Sequence, residues 1–339
     1  KNLQPFFRNY GPDLTGPFLG NCGAFGFKTA ITLQLIPALS AEAYVSFSFD
    51  DPVAQMGVMA QIGSELLAVE CQGMDPFSAK SRMKSEGVAA DLRTVAQIVT
   101  GSGSFLRGLR DAGMVAMHGR RFADGVGYLL NCTAEGYEQR EADRRVRRIR
   151  TIAKSGGGRE IPASIPRVIR AMPFPPMSGL LTPSGKRMAW LHTVVPNSKG
   201  GEAFSRTEHI FEQNAKELEA HGISHGYLLS THGPSGVGVE TLIRWPDAPL
   251  PIHLHFMSDA QRAALRPRAD NPEARERLKT LSMQIIAEWR LLGGVHVQIG
   301  RKYPYFQTRS APVQMLLSQL KTVFDPNNIM SPGNLFHTM

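Results

Sequence analysis

An α+β fold, with helices on one face of a sheet that includes antiparallel strands, is what the sequence predicts. Three observations carry the prediction. Short apolar runs alternate with amphipathic stretches in the order strand–helix–strand, more than once along the chain. Two strand-like runs, Ser224–Thr231 and Val237–Trp245, are separated only by a Gly/Pro/Ser turn, which is hairpin spacing and adds an antiparallel pair. With 339 residues, 42% hydrophobic and 20% charged, the chain can bury a sizeable core and more than one domain.

The elements follow in order. Phe27–Ile36, rich in Thr, Ile and Leu and ended by Pro37, reads as a buried strand. Ala43–Phe49 is the next strand. Asp51-Pro52 then places an N-cap aspartate and an N1 proline, and Val53, Met56 and Ala60 follow at helical spacing. Leu66–Cys71 reads as a strand and Phe77–Gly87 as a helix, with Ala89–Thr100 continuing in helical or irregular form. Gly125–Thr133 is a strand, and the arginine-rich segment after it is a helix that stops at Gly156-Gly157-Gly158. Arg187–Val195 is a strand and Gly201–His221 a helix with Phe204, Phe211, Ala215 and Leu218 on one face. Gly222 stands where a terminating glycine belongs. Beyond the hairpin, Pro272–Leu292 is a helix ended by Gly293-Gly294, Val295–Ile299 a strand, and Pro312–Phe324 a last helix. Ile161–Pro183 and Pro246–Pro251 are proline-rich surface connections.

Composition narrows the function classes. The formal net charge is +9, which favours anionic partners. Much of the excess lies in Arg140, Arg144, Arg145, Arg147, Arg148 and Arg150, interleaved with Glu138, Glu141 and Asp143 at ion-pair spacing. This reads as a solvated helix face or as a surface for an acidic partner. No nucleic-acid motif accompanies it, so nucleic acid is not an expected partner. No apolar run is long enough to span a bilayer and no leader opens the chain. Cys22, Cys71 and Cys132 are odd in number and form no C-x-x-C pair, which points to reduced thiols and a cytoplasmic location.

Two segments carry the chemistry. The first is Gly11-Pro12-Asp13-Leu14-Thr15-Gly16 followed by a loop with glycines at 20, 23 and 26. Such glycines let the backbone approach a ligand and aim N–H groups at anionic oxygens; the same loop is also a tight turn into a strand. It is not the dinucleotide fingerprint, since it precedes a strand instead of a helix. The second is Phe324-Asp325-Pro326-Asn327-Asn328-Ile329-Met330-Ser331-Pro332-Gly333, which by itself is a helix stop followed by turns.

Together, and in this order, the two segments resemble the FAD-linked oxidases, the family of vanillyl-alcohol oxidase, 4-cresol dehydrogenase and the glycolate and D-lactate dehydrogenases. The first is similar to that family's "PDLTGLF-x-G" loop and strand beside the flavin, the second to its "F-D-P-x-N-I" ending. The resemblance implies FAD as cofactor, with Gly20, Asn21, Cys22, Gly23, Gly26 and Phe27 on the cofactor side and Asn328 reaching the flavin. It implies an end of an FAD-binding domain (residues 1–37), a substrate or cap domain of ferredoxin-like β-α-β units (38–310), and a C-terminal helix and tail returning to the FAD domain (311–339).

Departures from the family refine the expectation. The earlier, pyrophosphate-holding half of the FAD domain has no counterpart here, so a separate polypeptide carrying it, or a cut parent chain, is expected, and the chain alone is expected to bind FAD poorly. The H-x-G-D-G-N-x-H and E-H-G-I-G segments of the metal-dependent branch are absent; at the second stands Gly293-Gly294-Val295-His296-Val297-Gln298-Ile299-Gly300. His253 and His255, on one side of an extended stretch, lack a carboxylate partner, and no metal is expected. The sequence therefore resembles more closely the metal-free, phenol-oxidising type. By that resemblance Arg301 and Tyr303 face flavin and substrate, with a surface β-edge as the alternative, and His192 is a further catalytic candidate or a core histidine. The implied activity is hydride transfer from a hydroxy acid or phenolic alcohol to FAD, in a homo-oligomer acting on an anionic or phenolic small molecule. The alternative is a non-catalytic, cap-like subunit that docks on an FAD-bearing chain.

Overall fold

The computed structural model describes residues 12–79, 127–171, 181, 185–265 and 268–336. The chain forms two compact units. A terminal unit joins the segment up to Ala38 with the segment from His296 onward, and a central unit spans Leu39–Val295. The boundary expected at residue 310 falls inside the terminal unit.

The central unit is built on one seven-stranded, wholly antiparallel sheet. Its elements are β1 (Ala41–Phe49), α1 (Pro52–Ser64), β2 (Glu70–Met74), β3 (Tyr128–Gly136), α2 (Gln139–Ser155), β4 (Arg159–Ile161), α3 (Ser164–Ala171), β5 (Arg187–Pro196), α4 (Gly200–Gln213), α5 (Ala215–Ala220), β6 (Ser224–His232), β7 (Gly236–Trp245), the short helices α6 (Pro251–His255) and α7 (Asp259–Ala264), and α8 (Pro272–Leu291). The strand order is β4-β1-β3-β2-β6-β7-β5. The first four strands with α1 and α2 form a ferredoxin-like β-α-β-β-α-β unit, β3 lying between β1 and β2. The second half repeats it: β5, α4, β6, β7 and α8 come in the same order, and β7 lies between β5 and β6. The fourth strand of this repeat is reduced to a single bridge, Val295 with Val194 on β5. The strand expected at Val295–Ile299 is thus one residue of pairing. The repeats meet where β2 pairs β6, with Gly73 opposite Leu229. A Cβ at Gly73 would stand 2.9 Å from both Leu229 Cβ and Gln55 Nε2, so this crossing needs a glycine.

Local chemistry fixes the helices. Asp51 accepts the N–H groups of Val53 (2.9 Å) and Ala54 (3.1 Å) and Pro52 opens α1, as the sequence indicates. Along α2, Ala142, Val146, Ile149 and Ala153 make a buried stripe, while Arg145–Glu141, Arg148–Glu65 and Arg150–Glu160 pair on the outer side. The helix expected at Gly201–His221 is broken at Asn214, whose side-chain amide donates to the Ile210 carbonyl and ends α4 before α5 begins. Asn271 caps α8 through the N–H of Ala274, and Gly293, at φ +77°, closes it.

One face of the sheet carries Phe47, Phe49, Leu130, Leu229, Val239 and Ile243 under α1, α2, α4 and α8. The second face is polar over much of its area and is capped by Ile165 and Ile169 of α3, which pack on Met74 and Leu129. Arg170 of α3 binds Glu42, Glu70 and Glu135 from three adjacent strands there. Cys71 and Cys132 face each other across β2–β3 with Sγ atoms 3.8 Å apart, both as free thiols. Their separation in sequence hid this contact.

Other expectations need correction. Phe27–Ile36 is not a strand: it runs without ladder pairing, and Phe27 (84%), Leu35 (89%) and Ile36 (87%) are among its exposed side chains. The β2 strand begins at Glu70, since Leu66 takes a positive φ and turns the chain first. His253 and His255 lie in the helix α6, not in an extended stretch. The helix expected at Phe77–Gly87 lies outside the described residues beyond Ala79, as does all of Ala89–Thr100. Among the described residues no helix is long and apolar enough to cross a membrane.

Candidate functional site

Within the terminal unit, the two motif segments from opposite ends of the sequence come together. The loop after Leu19 turns sharply, with Gly20, Cys22, Gly23 and Gly26 all at positive φ. Its partner is the turn that follows α9 (Ala311–Phe324). Asp325 is buried and accepts the N–H groups of Ile329 and Met330, both at 2.9 Å, so its carboxylate shapes the Asp-Pro-Asn-Asn turn. Burial alone would raise its pKa, but Lys321 and those two N–H groups hold it below the usual aspartate value.

Lys321 is the link. Its ammonium donates to Asp325, to the Met330 carbonyl (2.9 Å) and to the Ala24 carbonyl of the glycine loop (2.7 Å). Asn334 donates to the Cys22 carbonyl at 2.7 Å, and the Gly300 N–H points at Cys22 Sγ at 3.1 Å. Phe324 stacks edge-on against Phe18 and lies near Phe25. The segments also approach closely at Gly23, for a Cβ there would lie 2.8 Å from Ser331 Oγ.

The expected cofactor-side residues divide by exposure. Asn21 is 2% exposed; its Oδ1 accepts from Lys28 Nζ (2.7 Å) and the Gly23 N–H (3.3 Å), which fixes the amide orientation. Its Nδ2 is buried and has no protein partner. A buried donor without an acceptor is uncommon and marks a place where an external acceptor fits. Positions 20 and 26 open onto free space, with no atom within 4 Å of where a Cβ would stand. Phe27 is exposed, and Asn328 sits exposed at φ +51° on the Asp325 turn.

Arg301 is exposed on a turn, so the β-edge alternative for this stretch is replaced by a turn. Tyr303 is 1% exposed and stacks on the His296 ring at 3.9 Å. His192 belongs to the central unit. It sits on β5 directly opposite Glu240 of β7, both on the second face of the sheet. Burial pushes the Glu240 carboxyl above the usual glutamate value. The same face carries Ser46 bonded to Asn131 (2.8 Å), and Ser230 beside His232 (3.0 Å). Neither Glu240 nor the Ser46–Asn131 pair stands out in the sequence, because polar residues alternating with apolar ones describe any half-covered strand. Among the described residues, no group of three or more His, Cys, Asp or Glu is placed to hold a metal ion.

Residues 39–335 match the family described as FAD linked oxidases, C-terminal domain. No curated protein is similar enough to count as a match. Among solved structures, alkyldihydroxyacetonephosphate synthase is similar with a TM-score of 0.56 at 13% identity, covering 95% of this chain and 49% of that one. The 4-ethylphenol oxidase from Gulosibacter chungangensis, solved with isoeugenol, is similar with a TM-score of 0.55 at 14% identity, covering 98% of this chain and 60% of that one. The chain thus spans between half and three-fifths of these proteins, and at such identities the likeness is one of fold.

Proposed function

The chain belongs to the FAD-linked oxidases by their C-terminal domain, and from that membership we propose that it is the C-terminal part of an enzyme that moves hydride from a hydroxy acid or phenolic alcohol to FAD. FAD is the cofactor that the family brings. The observation that carries the proposal is the convergence of the 20–26 loop with the Asp325 turn through Lys321, beside the unpartnered Nδ2 of Asn21. Residues far apart in sequence are there held together by hydrogen bonds beside an open donor.

The residues fit the cofactor. Asn21 Nδ2 would hold a carbonyl or anionic oxygen of FAD, the open space at Gly20 and Gly26 would let the cofactor approach the loop, and Asn328 would approach it from the second motif. When bound, FAD supplies the electron-pair acceptor of the reaction. Arg301 would supply a positive charge that stabilises negative charge developing on the cofactor. The Tyr303 hydroxyl holds a phenolate or carboxylate, its ring kept in place by the stack on His296. His192, in register opposite Glu240 on the central unit, is the third candidate and would take up a proton at an imidazole nitrogen.

The apolar side chains exposed on the terminal unit, Leu14, Leu19, Phe27, Ile31, Leu33 and Leu35, support a docking surface. In this proposal it is covered by the FAD-holding half, in the same or a separate polypeptide. The same surface favours the second reading, a non-catalytic subunit. A cytoplasmic homo-oligomer is part of the first reading, to which the three free thiols add support.

Supplying an N-terminal FAD-binding half and FAD tests the proposal. The enzyme reading expects a yellow complex, with a flavin band at roughly 450 nm that bleaches anaerobically with a hydroxy acid or 4-alkylphenol. A yellow complex that no such compound bleaches favours the binding subunit.

A further inference from the structure

At one end of the second face of the sheet, where β5 begins and β7 ends, stands a guanidinium that the protein does not satisfy. Arg244 is 6% exposed, and both its Nε and Nη1 are buried without a hydrogen-bond partner. Its Cζ lies over the Phe77 ring, 4.9 Å from the centroid. A cation–π contact of this kind supplies no acceptor for the N–H donors. Two unpaired N–H donors on a buried cation are costly, and proteins retain them where something else supplies the acceptors.

The surroundings say what that acceptor is. Arg244 lies in register between Ser224 on β6 and Met188 on β5. Lys186, immediately before β5, donates to the Gly222 carbonyl at 2.9 Å; burial and the charges of Arg268 and Arg244 lower its pKa. Arg268 Nε lies 3.7 Å from the place a Cβ would take at Gly185. Three cations therefore gather at this end. Ser78 adds a further buried hydroxyl without a partner, placed against Gly226, two residues along β6 from Ser224.

Among the described residues, the carboxylate that stabilises the charge of Arg244 is Asp75. Its oxygens are already engaged: Oδ1 accepts the N–H groups of Tyr227 (2.7 Å) and Ser78 (3.3 Å), and Oδ2 those of Phe77 (3.0 Å) and Ser78 (3.3 Å). It forms no ion pair with Arg244, whose Nε and Nη1 donors remain open.

We propose that Arg244, with Lys186, Arg268 and Ser78 around it, forms an oxyanion-binding site for a carboxylate or phosphate group. The binding does not depend on flavin. That the anion belongs to the oxidised substrate rests on the flavoenzyme reading: the site shares the second face with His192 and Glu240, and a substrate anchored there by its anionic end would reach along the face toward them.

Inorganic phosphate and acetate, titrated separately into the whole chain at constant ionic strength, test the site. The readouts are the arginine Nε–H resonances and the thermal midpoint. One Nε–H resonance, absent from Arg244→Met, is expected to shift saturably with at least one of the two anions. Arg244→Met is expected to weaken that binding at least about tenfold, the loss of a charge-assisted hydrogen bond. Arg150→Met, on the outer side of α2, is expected to leave it unchanged. Tighter phosphate binding assigns a phosphate-bearing ligand, tighter acetate binding a carboxylate, and either supports the site. No saturable shift with either anion, or equal affinity in Arg244→Met, overturns it. Should that variant fail to fold, the wild-type Nε–H shift alone decides. A negative result leaves the flavoenzyme reading standing, and a colourless reconstituted complex leaves this site standing.

Discussion

Asp247 illustrates how single polar residues hold this fold. Its side chain is fully buried and accepts from Arg187 (2.8 Å), Arg275 (3.0 Å), Trp245 Nε1 (3.0 Å) and the Asn271 N–H (3.0 Å). Burial would raise its pKa, yet these bonds hold it below the ordinary aspartate value of 3.8. Its contribution is therefore complete above that value and is lost as pH falls through the folded pKa. Asp247→Ala is expected to cost roughly 3 kcal/mol in urea unfolding at pH 7. It should also flatten the fall of stability with acid below about pH 4; an unchanged acid profile would contradict this account. Gly23→Ala probes the candidate site at the same scale. With φ at +77° and Ser331 Oγ 2.8 Å from the new Cβ, it is expected to cost about 1–2 kcal/mol, read as a lower thermal midpoint. Residues of this kind were unevenly legible. The glycines announce themselves, whereas Arg244, Glu240 and Asp247 gain their character only from neighbours brought by the fold.

At the scale of elements, helix ends were the most legible features because their chemistry is local. The Asp51-Pro52 start of α1 stands as read, and Asp51→Ala is expected to destabilise by about 1 kcal/mol, measured by chemical denaturation. Strands were harder, since pairing is decided elsewhere in the chain. Phe27–Ile36 has the composition of a strand, but no neighbouring strand pairs with it in this structure. Val295–Ile299 has the pattern too, yet it meets the sheet as an isolated bridge of Val295 with Val194, and Gly300 then turns the chain at φ +53°. The break at Asn214 was concealed because the apolar positions continue on one face through α4 and α5.

For the whole molecule, the architecture of the central unit follows from a repeated rule: two ferredoxin-like halves joined across β2 and β6, with helices on a common face. The strand–helix cadence in the sequence made the α+β class legible; the doubling was not, because the second half lacks a full fourth strand. The terminal unit exposes apolar residues that, in the proposal above, the FAD-holding half covers. The chain alone is accordingly expected to bind FAD weakly. Flavin occupancy, measured by absorbance after the chain is combined with an N-terminal FAD-binding half, tests the central claim most directly. The account predicts a complex that retains about one FAD per chain with the wild type and distinctly less with Gly23→Ala. A complex that assembles yet stays colourless, or holds FAD equally well with that substitution, would contradict it.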